Sequence, residues 1–209
     1  MKGKVLINFA LTICFFFCCS SGRVIESPHY KVIHVESDFE IRQYKQISWM
    51  SALVQGTFSL EKSTQQGFHR LYQYMHGANS NSYRFLFTSP VTTTIMTSTR
   101  EPERLVRYYL PTMNAENPPL PNSELNIHFE KWKNNCLAVR RFPGFAKDDN
   151  INKEIDALKS TLSKHLPESA AISEYTIAQY NSSRRLLGRL NEVWLDVSSF
   201  TTEGCQPLW

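Results

Sequence analysis

The feature that most constrains this chain is a correspondence between its two halves. Tyr44 stands against Trp132 and Gly56 against Gly144, both pairs 88 residues apart. A Phe-Glu pair opens each region, Phe39-Glu40 and Phe129-Glu130. In the first half Val32 to Lys45 reads as strand broken by a turn at Ser37-Asp38, and Ile47 to Val54 as a second apolar strand. The period then changes. Phe68, Leu71, Tyr72 and Met75 fall at i, i+3, i+4 and i+7, one face of a helix from about Ser59 to His76 with Gly77 as its cap. Ile155, Leu158 and Leu162 match Phe68, Leu71 and Met75 at an offset of 87, in a helix ending near His165-Leu166 before Pro167. Arg84 to Phe87, Val91 to Met96, Leu105 to Leu110, Tyr175 to Tyr180 and Glu192 to Val197 supply further strands. Strand, strand, helix, strand, read twice, predicts a duplicated α+β unit. Each sheet has one face to bury, so the two close on each other into a curved sheet or distorted barrel, with a helix on each half. The proline-rich stretch Met113 to Ser123 is the hinge between halves, too short for a linker between domains.

Residues 1–21 read differently. Lys2 and Lys4 precede an apolar run from Val5 to Cys19, and Ser20, Ser21 and Gly22 follow. This is the charged, apolar and small-residue order of a secretory signal peptide, and its apolar run is short of the about 20 residues that span a bilayer. Cleavage near Ser21 removes Lys2 and Lys4, taking the net charge from +4 to +2. A charge that small does not point to nucleic acid, which needs a clustered basic face, and after cleavage no membrane segment is expected. Of the five cysteines Cys136 and Cys205 remain, and in an oxidising compartment an even pair favours one disulfide over two free thiols. Asn181-Ser182-Ser183 becomes a usable glycosylation sequon. The expected destination is the secretory pathway, extracellular or vacuolar.

Enzyme signatures are missing from the sequence. It has no G-x-S-x-G elbow and no glycine-rich phosphate loop, and neither mature cysteine sits in a nucleophile motif. Asp148-Asp149 fall at a helix start, where carboxylates cap and complement the dipole. His29, His34, His69, His76, His128 and His165 form no metal-ligand spacing, so no resident metal ion is expected.

Several residue runs point further. Glu26-Ser27-Pro28-His29-Tyr30 is followed by Phe39-Glu40-Ile41-Arg42-Gln43-Tyr44, Gly67-Phe68, Gly77-Ala78-Asn79 and Thr88-Ser89-Pro90-Val91. Then come Phe142-Pro143-Gly144-Phe145, Ala178-Gln179-Tyr180-Asn181 and Asn191-Glu192-Val193-Trp194-Leu195. In this order and spacing they resemble the SOUL haem-binding family over residues 26–198, leaving a tail at 199–209. The leader and tail look like those of plant members that enter the secretory route. The resemblance implies an α+β fold: a distorted eight-stranded antiparallel β-barrel with two flanking helices and pseudo-twofold symmetry. It implies reversible binding of haem or metal-free porphyrin by a carrier, buffer or sensor, not a catalyst. Rival readings are a protein-interaction module that has lost the ligand and a carrier of other flat amphipathic molecules.

Carried over from the family, the slot lies along the first helix at Gln65, Phe68, Tyr72 and Gln73, and on the loop before the last strand at Tyr180 and Arg185. Phe68 and Tyr72, four apart, share a face and can lie against a ring or pack on the sheet. Arg185 can fork onto a propionate. Where some members carry cations on this helix, this chain has Gln65 and Gln73, and where one has a proposed histidine ligand it has Gln43. Iron-specific binding is therefore not expected, and haem and metal-free protoporphyrin should bind within roughly tenfold of each other. His69 and His76, seven apart on the first helix, are the remaining axial candidates. The helix dipole gives His76 a structural reason of its own.

Overall fold

The computed structural model describes residues 25–56, 58–96, 103–202 and 204–207. The expected signal peptide lies outside the described residues. The elements are β1 (Lys31–Val35), β2 (Glu40–Gln55), α1 (Leu60–Met75), β3 (Val91–Met96), β4 (Glu103–Tyr109), β5 (His128–Pro143), α2 (Asp148–Leu162), β6 (Tyr175–Gln179) and β7 (Leu190–Asp196). All pairings between these strands are antiparallel. Strands β2, β4, β3, β6, β7 and β5 follow one another, and β5 closes on β2. The result is a six-stranded barrel with β1 outside it and two helices.

The expected eight strands are thus seven among the described residues. The region anticipated as two strands across Lys45 is one continuous strand of 16 residues, and β5 has the same length. Length lets β2 serve three neighbours. Its start pairs with β1 through residues 40–43 and its end with β4 through residues 49–55, while the other edge takes β5. Arg84 to Phe87 is not a strand; it holds only an isolated bridge between Arg84 and His76. Helix α2 stops at Leu162, short of the expected His165-Leu166. The two halves run through the same succession, β2-α1-β3-β4 and β5-α2-β6-β7, and β2 and β5 begin and end at positions 88 apart.

Alternate residues of a strand share a face, yet Tyr44 and Ile47 of β2 join the same interior cluster. The register between β2 and β5 skips Lys45 and Asn134, and Asn134 takes a positive φ of 52°. This irregularity switches the inward parity halfway along both strands. Tyr44, Ile47 and Trp49 then meet Tyr109, Leu137, Val139, Ala178 and Trp194 inside the barrel. Outside it, Ile151, Ile155, Leu158 and Leu162 of α2 pack on Ile41, Ala138, Phe142 and Val193. Leu71, Tyr74 and Met75 of α1 pack on Met50, Ala52, Val106 and Tyr108. Helix α1 lies so close to β4 that a Cβ on Gly67 would stand 2.5 Å from Val106 Cγ2. Asp148 Oδ1 accepts from Leu60 N at 3.0 Å and so joins the starts of the two helices.

Cys136 and Cys205 form a disulfide with a Cα–Cα distance of 5.4 Å, as their even count favoured. Both cysteines are buried in the α2 cluster. The bond holds the tail against β5, where Val197 N also donates to Cys136 O at 2.8 Å.

Candidate functional site

Helix α1 begins where Ser59 Oγ accepts from Lys62 N, and it buries Leu60, Ser63, Gly67, Leu71, Tyr74 and Met75 against the barrel. The opposite face carries Gln65, Tyr72 and Gln73, all exposed, with Phe68 half-buried at its margin. Phe68 and Tyr72 lie 6.1 Å apart, ring to ring. The Tyr72 ring then stacks on His76 at 3.8 Å and 24°, and His76 stands 5.8 Å from the Phe87 ring. Tyr72 is 41% exposed, Leu86 53% and Phe87 58%, so the row forms an open apolar shelf. Exposed apolar patches of this kind mark binding surfaces more often than isolated exposed residues do.

The backbone under the shelf is firmly held. Phe85 N donates to Met75 O at 2.9 Å, and Tyr108 Oη donates to Leu86 O at 2.6 Å. Burial pushes the Tyr108 phenol up to about 12, so it remains a donor at any physiological pH. Asn79 Nδ2 donates to Tyr74 O and Tyr83 O, tying the turn after Gly77 to the end of the helix. Leu86 and Phe87 escaped the sequence reading as site residues because the apolar run Phe85-Leu86-Phe87 reads as a strand. Gln65 additionally lines an open groove of about 560 Å³ with His69 and Arg70, against Leu53 and Gln55 of β2.

Tyr180 and Arg185 stand elsewhere, on the connection from β6 to β7. Tyr180 Oη donates to Glu192 Oε2 at 2.7 Å. Glu192 is 2% exposed and also accepts from Arg42 Nη1 at 3.0 and 3.1 Å and from Trp194 Nε1 at 2.8 Å. Arg42 is fully buried, and its Nε donates to Glu40 at 2.8 Å. Burial, reinforced by the Glu192 charge, pushes the Tyr180 phenol far above its ordinary range. Tyr180 therefore serves an interior polar network as well as any role at the surface. Arg185 is exposed and its Nε donates to Leu187 O at 3.0 Å, within its own loop. The structure brings the four helix candidates onto one face and places the two loop candidates on a separate segment. Asn181 is half-buried and its Oδ1 accepts from Leu190 N at 2.7 Å. Among the described residues no group of three His, Cys, Asp or Glu is placed to hold a metal ion.

The family model for SOUL heme-binding protein matches residues 25–196. Heme-binding protein 2 of Homo sapiens is 28% identical over 185 residues, covering 84% of this chain and 88% of the relative. Heme-binding protein 1 of Xenopus laevis is 29% identical over 160 residues, covering 75% and 82%. The fold is similar to that of the EcmrR C-terminal domain, with a TM-score of 0.50 at 10% identity, covering 80% of this chain and 96% of that one. A hydrolase from Listeria innocua gives a TM-score of 0.50 at 8% identity, covering 77% and 91%. At such identities these two likenesses concern the fold alone.

Proposed function

The chain belongs to the SOUL haem-binding family, and from that premise we propose that it binds haem or a related tetrapyrrole reversibly, as a carrier, buffer or sensor rather than a catalyst. The observation that carries this reading is the row of rings formed by the exposed Tyr72 and Phe87 with the half-buried His76 and Phe68, the last also packed on the core beneath α1. It offers a flat ligand an apolar surface of rings on a rigid helix. The residues present suit the group: Phe68 and Tyr72 for the macrocycle, Gln65 and Gln73 as uncharged donors and Arg185 as a charged one for its propionates. Tyr180, on the β6–β7 connection, belongs to the proposed set as the family resemblance gives it. The same reading takes the barrel as a duplicated unit and the protein as a traveller of the secretory route. Its buried disulfide agrees with an oxidising compartment. Asn181 is the proposed glycan site there.

The test is titration of the protein with haem and with metal-free protoporphyrin, read by quenching of Trp and Tyr fluorescence. Saturable binding is expected. Phe68→Ala and Tyr72→Ala should each weaken it by about 1–3 kcal/mol, the apolar area that each ring would bury on the ligand. Arg185→Ala should weaken it less, and its effect should shrink when the propionates are esterified. A folded Tyr72→Ala variant that binds both porphyrins normally would move the site off α1. Absence of binding to either porphyrin would leave a protein-interaction module or a carrier of other flat amphipathic molecules.

A further inference from the structure

We propose that His76 is the axial ligand, through Nε2, for the iron of a porphyrin seated on the α1 shelf. This rests on the tetrapyrrole reading, adds to it a metal-ligating residue, and departs from the expectation drawn from Gln43 that iron would not be preferred. His76 Nδ1 lies 2.8 Å from Tyr72 O. A carbonyl oxygen only accepts, so Nδ1 carries the hydrogen, and in the neutral ring the lone pair is left on Nε2. A histidine whose second nitrogen donates to a carbonyl is the arrangement that fixes tautomer and ring orientation for metal binding. Here Nδ1 faces back along the helix, so Nε2 opens away from it, on a half-exposed side chain.

The ring is also held on its flanks. It stacks on Tyr72 and stands 5.8 Å from the Phe87 ring. A metal-bound imidazole stands on edge to a porphyrin plane. The Tyr72 ring lies within 24° of parallel to it and would offer its own edge to a macrocycle bound there. Arg84 faces His76 across their isolated bridge, is exposed, and enters no ion pair among the described residues. It is available for a propionate.

Other histidines are held differently. His34 Nε2 is held by Glu36 at 2.8 Å, and His165 Nε2 lies 3.9 Å from the same carboxylate. His69 shares the α1 face but has neither a ring stack nor a bond at its second nitrogen among the described residues. Gln43, the position expected to bear on iron, lies in β2 opposite Lys31 and Cys136.

The experiment compares the full chain with its His76→Ala, His76→Phe and His69→Ala variants, each titrated with ferric haem and with metal-free protoporphyrin. Binding is read by fluorescence, and the iron by absorption and electron paramagnetic resonance. The wild type and His69→Ala should show an imidazole-ligated ferric spectrum. His76→Ala should lose it, regain it on addition of free imidazole, and bind haem about tenfold or more weakly. His76→Phe keeps a ring on Tyr72 and should retain metal-free binding while losing the iron signature. The proposal is overturned if both His76 variants keep the wild-type iron spectrum, or if wild type binds both porphyrins within about tenfold with no imidazole signature. If wild type binds neither porphyrin, the tetrapyrrole reading itself falls. The two failures are thereby distinguishable.

Discussion

Replacing Gly67 by Ala tests how closely α1 is seated on the barrel. The new methyl would lie 2.5 Å from Val106 Cγ2 and 2.6 Å from Val106 Cβ. Ordinary carbon contacts need about 3.5–4.0 Å, so the helix and β4 must part by on the order of 1 Å. Val106 is fully buried and short, and no rotamer removes its Cβ from the contact. Overpacking of a core costs about 1–3 kcal/mol. Alanine returns about 1 kcal/mol of helix propensity at this interior position. Because backbone elements rather than a flexible side chain have to move, the cost falls in the upper part of its range, and a net loss of about 1–2 kcal/mol is expected. For a chain of this length that lowers Tm by about 2–8 °C, measured by thermal unfolding followed by circular dichroism. Val106→Ala in the same chain removes the Cγ contact but keeps the Cβ, so it should recover part of the loss relative to the sum of the single changes. A Gly67→Ala protein that melts higher than wild type would show that propensity governs this position and that α1 does not approach β4 so closely.

The disulfide closes a separation of 69 residues, for which the chain-entropy model gives up to about 4 kcal/mol. Cys205→Ser should lower stability by no more than that and expose the tail to proteolysis, and non-reduced mass spectrometry of wild type should find one internal link and no alkylatable thiol. Glu192→Gln leaves the fully buried Arg42 with Glu40 but without its buried carboxylate and should cost toward the lower end of about 3–5 kcal/mol by denaturant unfolding; a loss under about 1 kcal/mol would mean that water reaches the pair. Burial tends to raise the pKa of Glu26, but hydrogen bonds from Thr112 N and Oγ1, with help from Tyr109, bring it below 4.5. The unfolded chain then binds the proton more readily, so this contribution is present above about pH 4.5 and fades as pH falls through the lowered value. Glu26→Gln should flatten that part of the acid-unfolding curve, and an unchanged curve would refute the assignment.

Local period was enough to place much of this fold. The apolar spacing of Phe68, Leu71 and Met75 and of Ile155, Leu158 and Leu162 located α1 and α2, because a helix facing a sheet must repeat every 3.6 residues wherever that sheet lies. The offset of 88 between Gly56 and Gly144 marked the ends of β2 and β5, which meet each of those glycines one residue later. Counting cysteines was enough to favour the pair Cys136–Cys205. Other features depend on closure of the barrel. The parity switch beside Lys45 and Asn134 looks like a turn in sequence; only pairing with a 16-residue neighbour keeps the strand running through it. Arg42 and Glu192 sit at alternating strand positions as surface charges do, and nothing local tells an inward-facing ion pair from two solvated residues. Arg84 to Phe87 has the β-rich apolar composition of a strand but pairs only through the Arg84–His76 bridge, so Phe87 is left on the surface beside His76. The shelf joins residues of a helix to a loop that follows it, and that meeting is set by where Phe85 N and Tyr108 Oη find their acceptors, a long-range choice that no local pattern encodes.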